Sequence, residues 1–156
     1  MIFSTMNKIP AYVLEKLDLL FQLLRERKAE YEIFAGNVAD KALKRTVLSL
    51  AQETNQYAIE LSHQIESMAG INQKKYETPD GATDKLKPFS EGVFQFTGEK
   101  DILNSCEVSE TRMIKAYRTI LNEPFLHDNL RKLIRSQLNG ITCAFMQVRL
   151  LNTSLR

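Results

Sequence analysis

The sequence predicts an all-α protein, a single four-helix-bundle domain over residues 1–156. Apolar residues recur every three or four positions through four long segments, which is the spacing of one helix face. Turn-forming residues separate these segments at Gly36-Asn37, at Gly70 and at Asn122-Glu123-Pro124. A chain of this length can bury roughly two-thirds of its unfolded surface in one core. The predicted helices span about residues 10–37, 41–69, 100–122 and 125–152.

The first helix begins near Pro10, because proline suits the first turn of a helix. It ends around Gly36-Asn37, where glycine and asparagine tolerate a left-handed C-terminal cap. Its stripe is interrupted by one charged residue, Arg27. The full stripe is Val13, Leu17, Leu20, Leu24, Arg27, Tyr31, Phe34 and Val38.

The second helix follows after a short connection, with Asp40 as its N-cap and Gly70 at its end. Its stripe is Leu43, Val47, Leu50, Thr54, Tyr57, Leu61, Ile65 and Met68. Because helices joined by a few residues pack side by side, helices one and two are predicted to form an antiparallel hairpin.

The third helix opens around Asp101, after Gly98, and ends near Asn122. A short turn then leads into the fourth helix. The stripe of the fourth helix is Leu130, Ile134, Gln137, Ile141, Ala144, Val148 and Leu151. Helices three and four are therefore predicted to form a second antiparallel hairpin.

The connection at residues 71–98 differs from the other two. Loops beyond about 12–15 residues are uncommon in compact domains, whereas a segment of this length can run back along most of a helix of roughly 38 Å. It is predicted to be an overhand crossover, pinned to the bundle by its apolar residues Phe89, Val93, Phe94 and Phe96. Two hairpins joined by one long crossover form the connectivity of ferritin-like bundles.

The composition is that of an ordinary globular protein, with 44% hydrophobic and 26% charged residues, and it argues against two classes of partner. The net charge of +2 is small, and Lys41, Lys44 and Arg45 alternate with apolar positions. We expect no nucleic-acid partner, since that requires a concentrated basic patch. No apolar run approaches the ~20 residues that span a bilayer, so no membrane partner is expected either.

The two cysteines, Cys106 and Cys143, both fall among apolar helical positions. They are predicted to be buried, reduced thiols, which suits the cytoplasm. The chain also has no glycine-rich phosphate loop and no serine in the strand–turn–helix context of an activated nucleophile. Nucleophilic catalysis and phosphoryl transfer therefore have little support.

The helices resemble those of a bacterial ferritin-like four-helix-bundle domain family of unknown function. The matching segments are Asp40-Lys-Ala-Leu-Lys, Leu50-Ala-Gln-Glu-Thr, Ala58-Ile-Glu-Leu with Gly70, Ile102 to Glu110, Lys115-Ala-Tyr117, and Leu130 to Gln137. The resemblance covers about residues 10–151 and implies the fold more than an activity. Members often carry a His-Asp pair late in the last helix, where this chain has Phe145-Met146.

An acidic residue, Glu110, stands in the apolar seam of the third helix. The seam is Leu103, Cys106, Glu110, Met113, Tyr117 and Ile120. A buried carboxylate has to be paired, protonated or bound to metal. We therefore predict a buried polar cluster in the middle of the bundle, with hydroxyls supplied by Tyr31 and Tyr57. Its members are Arg27, Glu53, Glu110 and Gln137.

Two other interpretations of these residues stay open. In one, the side chains lie on the rim of the bundle. In the other, they bind metal, as in ferritin-like di-iron sites, which take a Glu from each of two helices and a Glu-x-x-His from each of the other two. The residues that would then have to converge around one cavity are Glu53, Glu60, His63, Glu107 and Glu110.

The ligand set for such a metal site is incomplete. Glu60 and His63 have the required spacing, but the fourth helix has no interior histidine, and His127 is placed in its first turn. Arg27 in the seam would also repel a cation. The sequence therefore predicts a metal-free, non-enzymatic structural or protein-interaction module without a cofactor. The alternative is a divergent carboxylate-bridged di-metal protein of oxidoreductase or iron-handling type, with iron. By analogy with ferritin-like bundles, the partner is a second copy in a homodimer or another protein.

Overall fold

The computed structural model describes residues 9–69 and 98–154, and all the regular structure in these two ranges is helical. The four helices are α1 (Ala11–Gly36), α2 (Lys41–Ala69), α3 (Glu99–Leu121) and α4 (Asp128–Ser154). They pack as a four-helix bundle, which confirms the predicted all-α class. The predicted crossover, 71–98, lies outside the described residues except for Gly98, and so does Gly70.

The ends of α1 and α2 are defined by local hydrogen bonds. The carbonyl of Pro10 accepts the N–H groups of Val13 and Leu14 in α1. Asp40 caps α2 as predicted, because its Oδ2 accepts the Leu43 N–H at 2.8 Å. The left-handed cap expected at Asn37 is wrong, since its φ is −104°. Its side-chain amide instead donates to the Ile33 carbonyl at 2.8 Å, which satisfies one of the terminal carbonyls of α1.

The helix α4 begins at Asp128, three residues later than predicted. Pro124 and Phe125 form a turn, and the buried Leu126 donates its N–H to the Glu123 carbonyl. His127 therefore precedes the helix rather than lying in its first turn, and its Nδ1 accepts the Asn129 N–H at 3.3 Å.

The C-terminal end of α3 is held by the neighbouring helix. Arg131 of α4 donates from Nη1 to the Leu121 carbonyl and from Nη2 to the Glu123 carbonyl, both at 2.6 Å. Glu123 also forms an ion pair with Lys16 of α1. The turn between α3 and α4 is thus bonded to α4 through Arg131 and to α1 through Lys16.

The buried side chains form two apolar clusters, one toward each end of the bundle. The first joins residues of α1 between 13 and 24 to residues of the other helices, among them Leu61, Tyr117 and Ile134. The second joins residues between 31 and 38 to others that include Val47 and Cys106. Arg27 lies on α1 between the two clusters, and this position defines the polar site.

Cys106 and Cys143 are both free, but only Cys106 is buried. The prediction of a buried Cys143 is wrong because Ile141 and Ala144 form the core stripe of α4, and Cys143 falls on the exposed side between them. No helix in the described part of the chain is long and apolar enough to cross a membrane.

Candidate functional site

The centre of the site is an ion pair between Arg27 of α1 and Glu110 of α3. Both side chains have zero exposure, and Nη2 of Arg27 donates to Oε1 of Glu110. Each residue occupies the core-facing stripe of its helix, which is why helical spacing directs both side chains into the same layer. The structure brings these two predicted site residues together.

Two hydroxyl groups complete the centre. Nη1 of Arg27 donates to Oγ1 of the buried Thr54 on α2 at 2.7 Å. Oγ1 of Thr54 in turn donates to the Leu50 carbonyl at 2.7 Å. The Tyr31 hydroxyl donates to the same Oε1 of Glu110. Three helices therefore contribute to one continuous hydrogen-bonded group.

The electrostatics of this centre keep Arg27 positively charged. Burial by itself lowers the pKa of Arg27, but the interactions of Arg27 with Tyr31 and Glu110 outweigh burial, so the pKa is raised. Burial also raises the pKa of Tyr31, with an opposing effect from Arg27. The Arg27 guanidinium lies 5.0 Å from the centroid of the Tyr31 ring, a cation–π distance.

Glu53 lies beside this centre on a half-buried position of α2. Burial raises its pKa, while the charge of Arg27 and a hydrogen bond with Tyr57 lower it. The pKa of Tyr57 is raised to about 12, first by burial and then by Glu53. The charge of Arg27 thus lowers the pKa of Glu53, but the hydrogen bond of Glu53 is with Tyr57, one turn further along α2.

Gln137 of α4 belongs to a neighbouring network. Its Oε1 accepts the hydroxyl of Tyr117 at 2.6 Å. Its Nε2 donates to the Tyr57 carbonyl and to Oε1 of Glu60, each at 3.1 Å. Within the described residues it has no bond to Arg27, Glu53 or Glu110, and its network meets that of Glu53 only at Tyr57.

The remaining candidates for metal binding do not converge on this centre. Glu60 bonds Gln137, whereas His63 is exposed on α2. Glu107 turns toward α4, where it accepts from Asn152 and pairs with Arg149 at 3.8 Å. In residues 9–69 and 98–154, no group of three or more His, Cys, Asp or Glu is placed to hold a metal ion. The described residues therefore do not assemble the ligand set of a ferritin-like di-iron site.

A second buried carboxylate, Glu30 of α1, was not predicted as a site residue. Its Oε1 accepts from the Ser109 hydroxyl and from Arg112, each at 3.3 Å. Burial raises the pKa of Glu30, and the charge of Arg112 opposes this. The signal that was missed is Ser109, a small polar residue beside Glu110 on the buried side of α3.

Thr54 and Tyr117 were placed in core stripes but not in the site. A threonine in an apolar helix stripe is a signal of a buried hydrogen bond, since its hydroxyl has to be satisfied there. A buried tyrosine gives the same signal. Cys106 lies in the second apolar cluster, and burial followed by the charge of Glu110 raises the pKa of its thiol. This environment keeps it unreactive.

Neither a protein-family model nor a curated protein matches this chain.

Proposed function

We propose that this chain is a metal-free, non-enzymatic helical bundle that acts as a structural or protein-interaction module. The observation that carries the proposal is the fully buried ion pair of Arg27 and Glu110. The guanidinium supplies, inside the bundle, the positive charge that a metal ion would otherwise supply to the carboxylate. A cation added beside it would have to overcome charge repulsion at short range.

The same proposal assigns the bundle a ferritin-like connectivity with antiparallel hairpins. Residues 13–24 of α1 share a cluster with residues 58–65 of α2, whereas residues 31–38 share one with residues 43–51. These contacts support an antiparallel first hairpin. On the second hairpin, Arg131 bonds the end of α3 and Asn152 bonds Asn104 near its start.

The location in this proposal is the cytoplasm. Cys106 and Cys143 are both free thiols, and free thiols persist in a reducing compartment.

A di-metal protein is the second candidate, and one observation favours it. Within the described residues, Oε1 of Glu53 and Oε2 of Glu110 are buried without a hydrogen-bond partner. Carboxylate oxygens of this kind are ligands for iron. Against this candidate, Nε of Arg27 is a buried donor in the same layer, and a donor is not a ligand.

Elemental analysis of the purified chain, before and after anaerobic loading with ferrous iron, tests the two candidates. We expect well under one metal ion per ten chains in both samples. Glu53→Gln removes a ligand charge from the site without leaving Arg27 unpaired. Glu15→Gln is the matched control, because Glu15 is exposed on α1.

Near-stoichiometric iron that is lost in Glu53→Gln and kept in Glu15→Gln would overturn the proposal and favour the di-metal protein. Far-ultraviolet circular dichroism of each variant shows whether the helices remain folded. A loss of iron therefore cannot be mistaken for a loss of structure.

A further inference from the structure

The helices α3 and α4 present one outer face whose residues repeat at intervals of seven. Thr111 and Arg118 of α3 are seven residues apart, as are Arg135, Thr142 and Arg149 of α4. Seven residues are close to two helical turns, so each set lies on one side of its helix. The ion pair of Arg149 with Glu107 shows that the α4 set borders α3. We call this surface the α3–α4 face.

Exposed cations dominate the α3–α4 face. They are Lys115, Arg118, Arg135 and Arg149. Within the described residues, Lys115, Arg118 and Arg135 have no ion-pair partner. These four cations give this side of the bundle a local positive charge. Such a concentration attracts a partner of opposite charge.

A cleft of about 490 Å³ lies between the two helices on this face. The half-buried Phe145 contributes to its lining, with the guanidinium of Arg149 at 5.6 Å from the ring centroid. Val108 of α3, which is 70% exposed, lies on the wall of the cleft, and Met146 of α4 is 52% exposed beside Phe145. The cleft therefore offers apolar contact beside the positive charges of Lys115 and Arg149.

We propose that the α3–α4 face binds an acidic amphipathic helix of a partner protein. This inference rests on the proposed function as an interaction module and names the chemistry of its partner. An amphipathic helix places its apolar side chains in a groove through anchors at positions i, i+3, i+4 and i+7. Carboxylates that flank such anchors would lie opposite the cations of this face and could pair with them.

Two features favour a helix over a bilayer or a nucleic acid. Phe145 is half-buried in the cleft and is therefore reached by a side chain that enters it, rather than by a flat surface. Glu107 also lines the cleft, and its carboxylate repels a continuous row of phosphates. A helix partner can place a neutral or basic side chain opposite Glu107 and carboxylates elsewhere.

The test uses two designed 18-residue helical peptides with the same leucine face. One carries glutamates on its flanks and the other carries lysines. Fluorescence anisotropy measures binding of each peptide to the full chain. The salt concentration is about 0.15 M, at which the Debye length is about 8 Å. We expect saturable binding of the acidic peptide only. The double variant Lys115→Glu/Arg149→Glu should weaken it at least tenfold.

Lys41→Glu/Lys44→Glu is the matched control, because both lysines are exposed on α2, away from this face. It changes the net charge by the same amount and should leave the affinity within twofold. Equal weakening by the two double variants would mean that net charge alone drives binding, and it would overturn the inference. So would equal binding of both peptides, or no binding of the acidic one.

Vesicles of phosphatidylglycerol and a single-stranded RNA oligonucleotide are tested in parallel. Binding of either, without binding of the acidic peptide, assigns the face to another class of partner and overturns the inference. The outcome is separate from the iron measurement. If the chain binds iron and also binds the acidic peptide, only the metal-free function is contradicted. If the chain is metal-free and does not bind the acidic peptide, only this inference is contradicted.

Discussion

Arg27 carries a charged guanidinium into a layer that water does not reach. The effective penalty for desolvating an ion is several kcal/mol. It is offset by the attraction of Arg27 to Glu110, by the hydrogen bond from Arg27 to Thr54 and by the hydrogen bond from Tyr31 to Glu110. Buried pairs of this kind roughly break even against apolar side chains. We infer that the pair contributes more to the alignment of α1 with α3 than to the free energy of unfolding.

Replacing Arg27 alone should be far more damaging than replacing the pair. Arg27→Met leaves the carboxylate of Glu110 buried and uncompensated, and should lower the free energy of unfolding by about 3–5 kcal/mol. The double variant Arg27→Met/Glu110→Leu should recover most of this loss. Urea denaturation of the four members of the double-mutant cycle measures both effects.

Lys28→Met is the control for that cycle. Lys28 is the next residue along α1 and pairs with Glu32 on the surface, so its replacement should change stability by no more than about 0.5 kcal/mol. If Arg27→Met were equally harmless, the guanidinium would have to reach solvent, and the buried layer would not exist.

Arg27 and Glu110 were predictable because each interrupts an otherwise apolar stripe. Gln137 also lies in a stripe, yet its hydrogen bonds go to Tyr57, Glu60 and Tyr117, because a stripe predicts burial but not the partner across the core. Glu30 was not predicted as a site residue for another reason. The buried side of α1 is wide enough to include pairs of adjacent residues, such as Glu30 with Tyr31, and a single stripe keeps only one of them.

The helices α2 and α4 approach closely at Gly140. A Cβ atom built at this position would overlap the Tyr57 hydroxyl oxygen and lie 3.1 Å from its Cζ atom. Glycine inside a helix costs up to about 1 kcal/mol relative to alanine. This intrinsic cost is offset here by the room that glycine leaves for the tyrosine ring.

Gly140→Ala should therefore destabilise the protein, although alanine is the better helix former. We expect a loss of about 1–3 kcal/mol from overpacking, measured by thermal or urea unfolding. Tyr57→Phe removes the overlapping oxygen, so Gly140→Ala should cost less in that background than in the natural chain.

Gly36→Ala is the comparison, because no atom in the described part of the chain lies within 4 Å of a Cβ atom built there. It should be neutral or slightly stabilising. An equal response of Gly36→Ala and Gly140→Ala would show that α2 and α4 do not approach closely at Gly140. Helical periodicity could not predict this contact, since it depends on how two distant helices pack.

The bundle as a whole was predictable because long periodic segments with clear end signals identify helices well. Its positive face was not. Lys115 and Arg118 are separated by many residues from Arg135 and Arg149, and only the packing of α3 beside α4 brings them to one surface. The crossover at 71–98 remains a prediction because, apart from Gly98, it lies outside the described residues.

Three tyrosines inside the bundle should make its free energy of unfolding decrease at alkaline pH. Burial raises the pKa of Tyr31 and of Tyr117, and it raises the pKa of Tyr57 to about 12. In the unfolded chain they ionise near the ordinary tyrosine value of about 10. Above that pH the folded state retains protons that the unfolded state has released, so stability falls as pH rises. Below pH 10 their contribution is constant.

Tyr31 and Tyr117 should each lower the free energy of unfolding by about 1.4 kcal/mol per pH unit above about pH 10, or about 3 kcal/mol together. The contribution of Tyr57 is smaller because it is only half-buried and solvent screens it. Urea unfolding at pH 8, 9, 10, 10.5 and 11 measures the slope. Tyr117→Phe should reduce that slope by about 1.4 kcal/mol per pH unit, whatever its effect at pH 8. An unchanged slope would mean that Tyr117 already ionises in the folded bundle, and its hydroxyl would then not be the buried donor to Gln137.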